Sequence, residues 1–440
     1  MATLELIKYV PHRHSVADDG TVVWERDIAC RLIEHLPQLF WADGTPWVEA
    51  NLWAHERATS GKTDIKTVQS NMGHLHKFAE WLEVANKADG GEGDGGLDWR
   101  HFPMLERDRV LIRWRKKLME ERDKFGLLAP STATQRMNAT IHFYRYARVN
   151  GFIGRDAPMW QERQVIHRYH DSVGFERTML LSSTDLAIPN RPRHGLRLEG
   201  GLMPITKEQM HELLDFTKGN VSPELHRMLQ LGFFTGARIE TIADLKKGSF
   251  DNAVADPVVP GLVYIAVGPG HKPHVATKFN VQGRILVPDG LFDDLGTYVT
   301  DPRRLAREAK APQENKDLIF LTRFGRRYVE RESASGTAVD RAMVDLRRAA
   351  TLAGLKFMKN FHFHMTRATF GTWLTATLLE MGYDQKAVLT FVSDAMLHKD
   401  IEQTLAYIKF VQETKIKIEV ANEFTEAFLG LSTRLGNDRA

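Results

Sequence analysis

Apolar residues recur at helical spacing through most of this chain. Val68, Met72, Leu75, Phe78 and Leu82 mark one face of a helix, and a glycine-rich break follows at 88–96. The pattern predicts a second helix over roughly 108–122 and a third over 131–150, with Ser131 or Thr132 as its cap. After Met203-Pro204 the pattern sharpens. Thr206-Lys-Glu-Gln209 is a capping box opening a helix to about Thr217, and the next helix is interrupted at Thr235-Gly236. Residues 263–267, 275–278 and 284–287 read as strands, the last two joined by FNVQG. Helices are expected after Asp289, around 338–353, and after Asp400, where Asp400-x-x-Gln403 forms another capping box. A final amphipathic stretch, 411–431, places Ile416, Val420, Phe424, Phe428 and Leu431 on one face.

These elements predict a mainly α, multidomain fold with a small antiparallel sheet. The expected divisions are a leading module of unreadable role (1–62), a helical domain (63–165), a basic linker (166–202), a large α-rich domain (203–432) and a short tail (433–440). A turn at Asp43-Gly44-Thr45-Pro46, between aromatic-rich flanks, makes the leading module a small unit or a flap on the domain after it.

The length of 440 residues suits two or three domains. A net charge of +3 says little about partners, but the distribution of charge says more. The third predicted helix carries Arg136, His142, Arg145 and Arg148 beside Gln135 and Asn138, with no acidic residue. The linker places Arg191, Arg193 and Arg197 in a stretch that also lacks acids. Such segments suit the phosphate backbone of double-stranded DNA, the plainer reading being a solvated surface. The single Cys30 excludes an internal disulfide and a cysteine-rich metal site. No apolar run approaches ~18 residues and no signal pattern opens the chain, so the expected location is the cytoplasm, in association with the nucleoid.

The candidate chemistry lies in residues 362–410. His364-x-x-Arg367 stands near the start, and Leu397-His398 is followed, nine residues after the histidine, by Tyr407. Attack on a DNA phosphodiester needs a nucleophile, cations on the non-bridging oxygens and a proton for the leaving alkoxide. Arginine suits the second task because its planar fork holds two oxygens and keeps its charge. A phenol attacks only when a base and cations stabilise its anion, and a crowded lysine serves as the acid. Upstream, TGARIETIADL puts Arg238 after a glycine turn, and Lys278 ends a predicted strand, with Lys272 in the HKPH loop as its rival. His362 and His364 alternate as a metal pair would, but no carboxylate or cysteine lies near, so no metal and no other cofactor is expected.

The ordered set Arg238, Lys278, His364, Arg367, His398 and Tyr407 resembles that of the tyrosine recombinase (phage integrase) family. The resemblance covers about 203–432 as catalytic domain and, more loosely, 63–151 as the family's helical, SAM-like core-binding domain. It implies site-specific cutting and rejoining of DNA without metal or ATP, as in the integrases of mobile elements. Tyr407 would form a 3′-phosphotyrosyl bond while Arg238 and Arg367 clamp the phosphate. Lys278 would protonate the 5′ oxygen, His364 would act as base, and His398 would hydrogen-bond the phosphate. It further implies a tetramer on two DNA sites, with the 411–431 helix a candidate for exchange between subunits. Arg284, across the hairpin from Lys278, and the Arg323–Arg327 loop are candidate phosphate contacts. A topoisomerase IB-like or hairpin-forming resolvase activity is the alternative within the same chemistry, and a catalytically silent DNA-binding protein the alternative outside it. Three features depart from the family's pattern: Leu397 where glycine is usual, Thr241 in place of an acid three positions after Arg238, and a 31-residue gap from Arg367 to His398.

Overall fold

The computed structural model describes residues 1–30, 32–88, 97–170, 176–190, 198, 201–257, 259–330, 337–417 and 420. Arg191, Arg193 and Arg197, and most of the expected helix beyond residue 417, lie outside them. The chain divides into two compact units, meeting in sequence at Arg193 and His194.

The first unit opens with β1 (Thr3–Tyr9), β2 (His12–Val16), β3 (Val22–Arg26) and β4 (Ile33–Phe40), paired antiparallel as β1–β4 and β2–β3. The helices α1 (Val48–Thr59), α2 (Ile65–Ala88), α3 (Val110–Met119) and α4 (Pro130–Val149) follow. The leading residues pack on the helices: Trp47, Ala50 and Trp53 share a core with Val68, Met72, Phe78, Trp114 and Phe143. Helix α4 starts with Pro130 in its first turn and has no side-chain cap, contrary to the expected Ser131 or Thr132. The ring's fixed φ and missing N–H suit that position, so the proline sets the start.

The expected linker is partly structured. Strands β5 (Glu162–His170) and β6 (Glu176–Thr184) pair as a hairpin, Leu186 and Ile188 are buried in the first unit's core, and the carbonyls of Leu186 and Pro189 accept bonds from Arg115 and Arg122. The Ile166–Leu180 pair lies across this hairpin with both side chains exposed, which gave no alternation for a sequence reading to find.

The second unit contains α5 (Lys207–Asn220), α6 (Pro223–Thr235), α7 (Ile239–Ala243), α8 (Lys247–Asp251), β7 (Val254–Ala255), β8 (Leu262–Val267), β9 (Gly283–Pro288), α9 (Asp289–Val299), α10 (Pro302–Glu308), α11 (Ala338–Leu352), α12 (His364–Glu380) and α13 (Gln385–Ala395). A last helix, α14, runs over 401–417 and starts directly after Asp400 as the sequence predicts. The sheet has the order β7-β8-β9. The expected strand at 275–278 reduces to a single bridge, Val275 to Gly268, because Phe279 and Asn280 adopt positive φ (62° and 54°) and turn the chain out of the sheet.

Two glycines fix how the long helices approach. A Cβ on Gly232 would stand 2.4 Å from the Thr366 hydroxyl, so α6 and α12 meet at backbone distance. Gly236 caps α6 at φ 65°, and a Cβ there would stand 2.3 Å from the Phe370 ring.

Candidate active site

The site forms where α6 ends and α12 begins. The turn at Gly236 delivers Arg238 to the N-cap position of α7. Arg367, one turn into α12 and 1% exposed, donates from Nη1 to the Gly236 carbonyl (2.6 Å) and from Nη2 to the Met396 carbonyl (2.7 Å). Two of the guanidinium's five donors thus fix it between the end of α6 and the end of α13. The two arginines that the sequence separates by 129 residues line one cavity together with Lys278.

Thr241, Thr277, Met396 and Leu397 also line that cavity, and no acidic residue does among the described residues. Three cations around one small cavity make an anion site, and the guanidinium forks match the oxygens of a phosphate. Lys278 is exposed at the 3-10 turn Lys278–Asn280. Its rival Lys272 is not among the lining residues. Phe279, 61% exposed, lies between two cations: the Nζ atoms of Lys278 and Lys399 stand 5.2 and 5.5 Å from its ring centre.

His398, 8% exposed, follows the cavity residue Leu397, and its Nδ1 bonds the Thr404 hydroxyl (2.8 Å). Its ring stacks on Tyr407, centroids 5.9 Å apart and planes at 26°. Thr404, three residues before Tyr407 on α14, was not singled out in the sequence; no spacing signal marks a threonine whose partner lies before a turn. His364 is half-buried at the start of α12, one turn ahead of Arg367.

Tyr407 is placed differently from the expectation. It is fully buried among Ala368, Phe370, Val392 and Met396, and it does not line the cavity of the three cations. Gly371 makes room for it: a Cβ there would stand 2.6 Å from both Tyr407 Cε1 and Met396 Sδ. The apolar face of α14 that carries Tyr407, Ile408 and Phe410 drives this burial.

The expected DNA-facing residues of α4 are not equivalent. Arg136 pairs with Glu121 (3.7 Å) and Arg145 with Glu162 (3.2 Å), while Arg148 lies 5.7 Å from the centre of the Trp160 ring. The helix lacks acids, but neighbouring elements supply them. Asn138 and His142 are exposed on its outer side. Partial desolvation, then the charges of Arg145 and Arg57, hold the His142 imidazole below its usual value. Arg284 is exposed on β9 with its guanidinium 5.3 Å from the Tyr264 ring centre.

Residues 204–413 match the model of the phage integrase family. No match was found among curated proteins. Among solved structures, the integrase of transposon Tn1549 in complex with transposon right-end DNA is 14% identical, with a TM-score of 0.47 over 84% of this chain and 98% of that one. A lambda integrase dimer bound to a core site is 13% identical, with a TM-score of 0.43 over 82% and 94%. The catalytic domain of bacteriophage HP1 integrase is 16% identical, with a TM-score of 0.27 over 49% and 94%. Residues 204–413 therefore form a phage integrase (tyrosine recombinase) family domain, and the arginines, lysine, histidines and tyrosine singled out in the sequence all lie within it.

Proposed function

We propose that this protein is a site-specific DNA recombinase that cuts and rejoins duplex DNA through a phosphotyrosyl intermediate. The observation that carries the reading is the acid-free cavity lined by Arg238, Lys278 and Arg367. Arg238 and Arg367 hold the non-bridging oxygens of the scissile phosphate and neutralise the charge that builds there. The Tyr407 oxygen attacks phosphorus while its proton passes to His364. The bond from phosphorus to the 5′ oxygen breaks, its electron pair goes to that oxygen, and Lys278 Nζ supplies the proton. With Nδ1 engaged by Thr404, His398 assists the phosphate through Nε2. Cleaved-bond energy stays in the phosphotyrosyl link, so rejoining needs neither metal nor nucleotide.

A buried phenol cannot meet a DNA phosphate where it stands. Attack therefore requires α14 to shift from its seat on α12 and α13, which couples cleavage to a rearrangement of the chain's end. In this reading the 411–431 stretch docks on a neighbouring subunit of a tetramer holding two DNA sites. Exposed Asn138 and Arg284 and half-buried Arg148, with Arg191, Arg193 and Arg197, follow the DNA backbone, whereas Arg136, Arg145 and His142 contribute less than their count implies.

A duplex nicked near the cleavage position tests the mechanism, because the short released strand diffuses away and traps the intermediate. The wild-type protein should give an SDS-stable adduct, and Tyr407→Phe should bind the same DNA and give none. An adduct in that variant would remove Tyr407 as nucleophile. Joined products from two sites separate recombination from mere relaxation.

A further inference from the structure

Lys278 stands on an exposed turn, yet proton delivery to one oxygen requires a fixed position. The segment before it is held by Asp244 and Lys246, which take no part in the chemical steps. Asp244, 4% exposed, caps the C-terminal end of the five-residue helix α7, whose N-cap is Arg238. Its Oδ2 accepts the Ala276 N–H at 2.8 Å, two residues before Lys278, and the Lys246 ammonium at 3.2 Å. Its Oδ1 accepts Nη1 of Arg327 at 2.7 Å. Lys246 in turn donates to the His274 carbonyl.

We propose that Asp244 is the positioning residue for Lys278, tying the lysine's segment to the short helix that sets Arg238. One turn of α7 separates it from Thr241, the cavity residue that stands where the family usually has an acid. The carboxylate is thus displaced along the helix, from the cavity wall to its support. That arrangement keeps negative charge out of the anion site. A buried carboxylate with three donors is stiff, since losing any of them leaves a charge underpaired. This inference rests on the reading of Lys278 as proton donor.

The test compares the nicked duplex with one whose scissile 5′ oxygen is replaced by sulfur. A thiolate, with a pKa near ~8.5 against about 15.7 for water, leaves without a proton. A general acid contributes about 10²–10⁴-fold. On the oxygen substrate, Asp244→Asn and Lys278→Ala should each slow adduct formation by about 10²-fold or more. On the sulfur substrate, both should return to within a few-fold of wild type. Lys278→Ala rescued by sulfur with Asp244→Asn slow on both substrates, or Asp244→Asn unimpaired on oxygen, overturns the role of Asp244. Lys278→Ala slow on both removes the lysine as donor, and the proposal with it. Should Asp244→Asn fail to fold, Lys246→Met decides: it cuts the tie to His274 and leaves the Arg327 pair, and slowing that sulfur does not relieve overturns the proposal.

Discussion

Leu397 adopts φ 52°, a left-handed conformation that costs a side-chain-bearing residue about 1–2 kcal/mol. The family's usual glycine would avoid that cost. Here the side chain is accommodated because its neighbour is Gly283: a Cβ on that glycine would stand 2.3 Å from Leu397 Cδ2. The small residue of this contact is on the strand rather than in the loop. Gly283→Ala should therefore destabilise the domain by about 1 kcal/mol or more, and Leu397→Gly in the same chain should recover most of it. Denaturant unfolding of the two single variants and the double variant measures that coupling. Arg367 has a stricter geometry, with two carbonyls fixing the fork. Arg367→Lys keeps the charge but loses the bidentate hold, and cleavage should fall by about 10²–10³-fold, measured as single-turnover adduct formation.

At the scale of elements, the Gly236 turn joins α6 to the first arginine. Gly236→Ala combines a left-handed backbone with an overlap on Phe370, and the expected loss is about 2–4 kcal/mol, visible as a fall in the unfolding midpoint. The α6–α9–α10 junction carries a different kind of dependence. Glu224 is fully buried; burial alone would raise its carboxyl, but hydrogen bonds from Arg303 and Tyr298 and the charge of Arg307 outweigh it and hold it below the usual range. A carboxyl depressed in the folded state stabilises the fold above its unfolded value, near ~4.3, and that contribution is lost as pH falls through the folded value. Glu224→Gln should destabilise the domain at neutral pH and flatten the acid limb of its stability curve below about pH 4, measured by urea unfolding across pH.

Across the whole molecule, each unit has its own core: the first is built on Trp47, Phe78, Trp114 and Phe143, the second on α6, α12 and the three-stranded sheet. Residues 1–193 expressed alone should therefore unfold cooperatively, and a non-cooperative melt would contradict that independence. Helix positions, the break at Gly236 and the start of α14 were legible in the sequence, because caps and apolar spacing are local properties. So was the ordered set of six polar residues, whose types and order belong to one chemistry. The third strand, the hairpin over 162–184, the acids that neutralise α4 and the role of Asp244 were not. Each depends on a partner on another element, or on a backbone angle that no residue type announces. The sequence by itself determined which polar groups the proposed chemistry can draw on and the order in which they follow one another. Only the tertiary structure decided that three cations share a cavity while the tyrosine is buried beside them, because that depends on how α14 spends its apolar face.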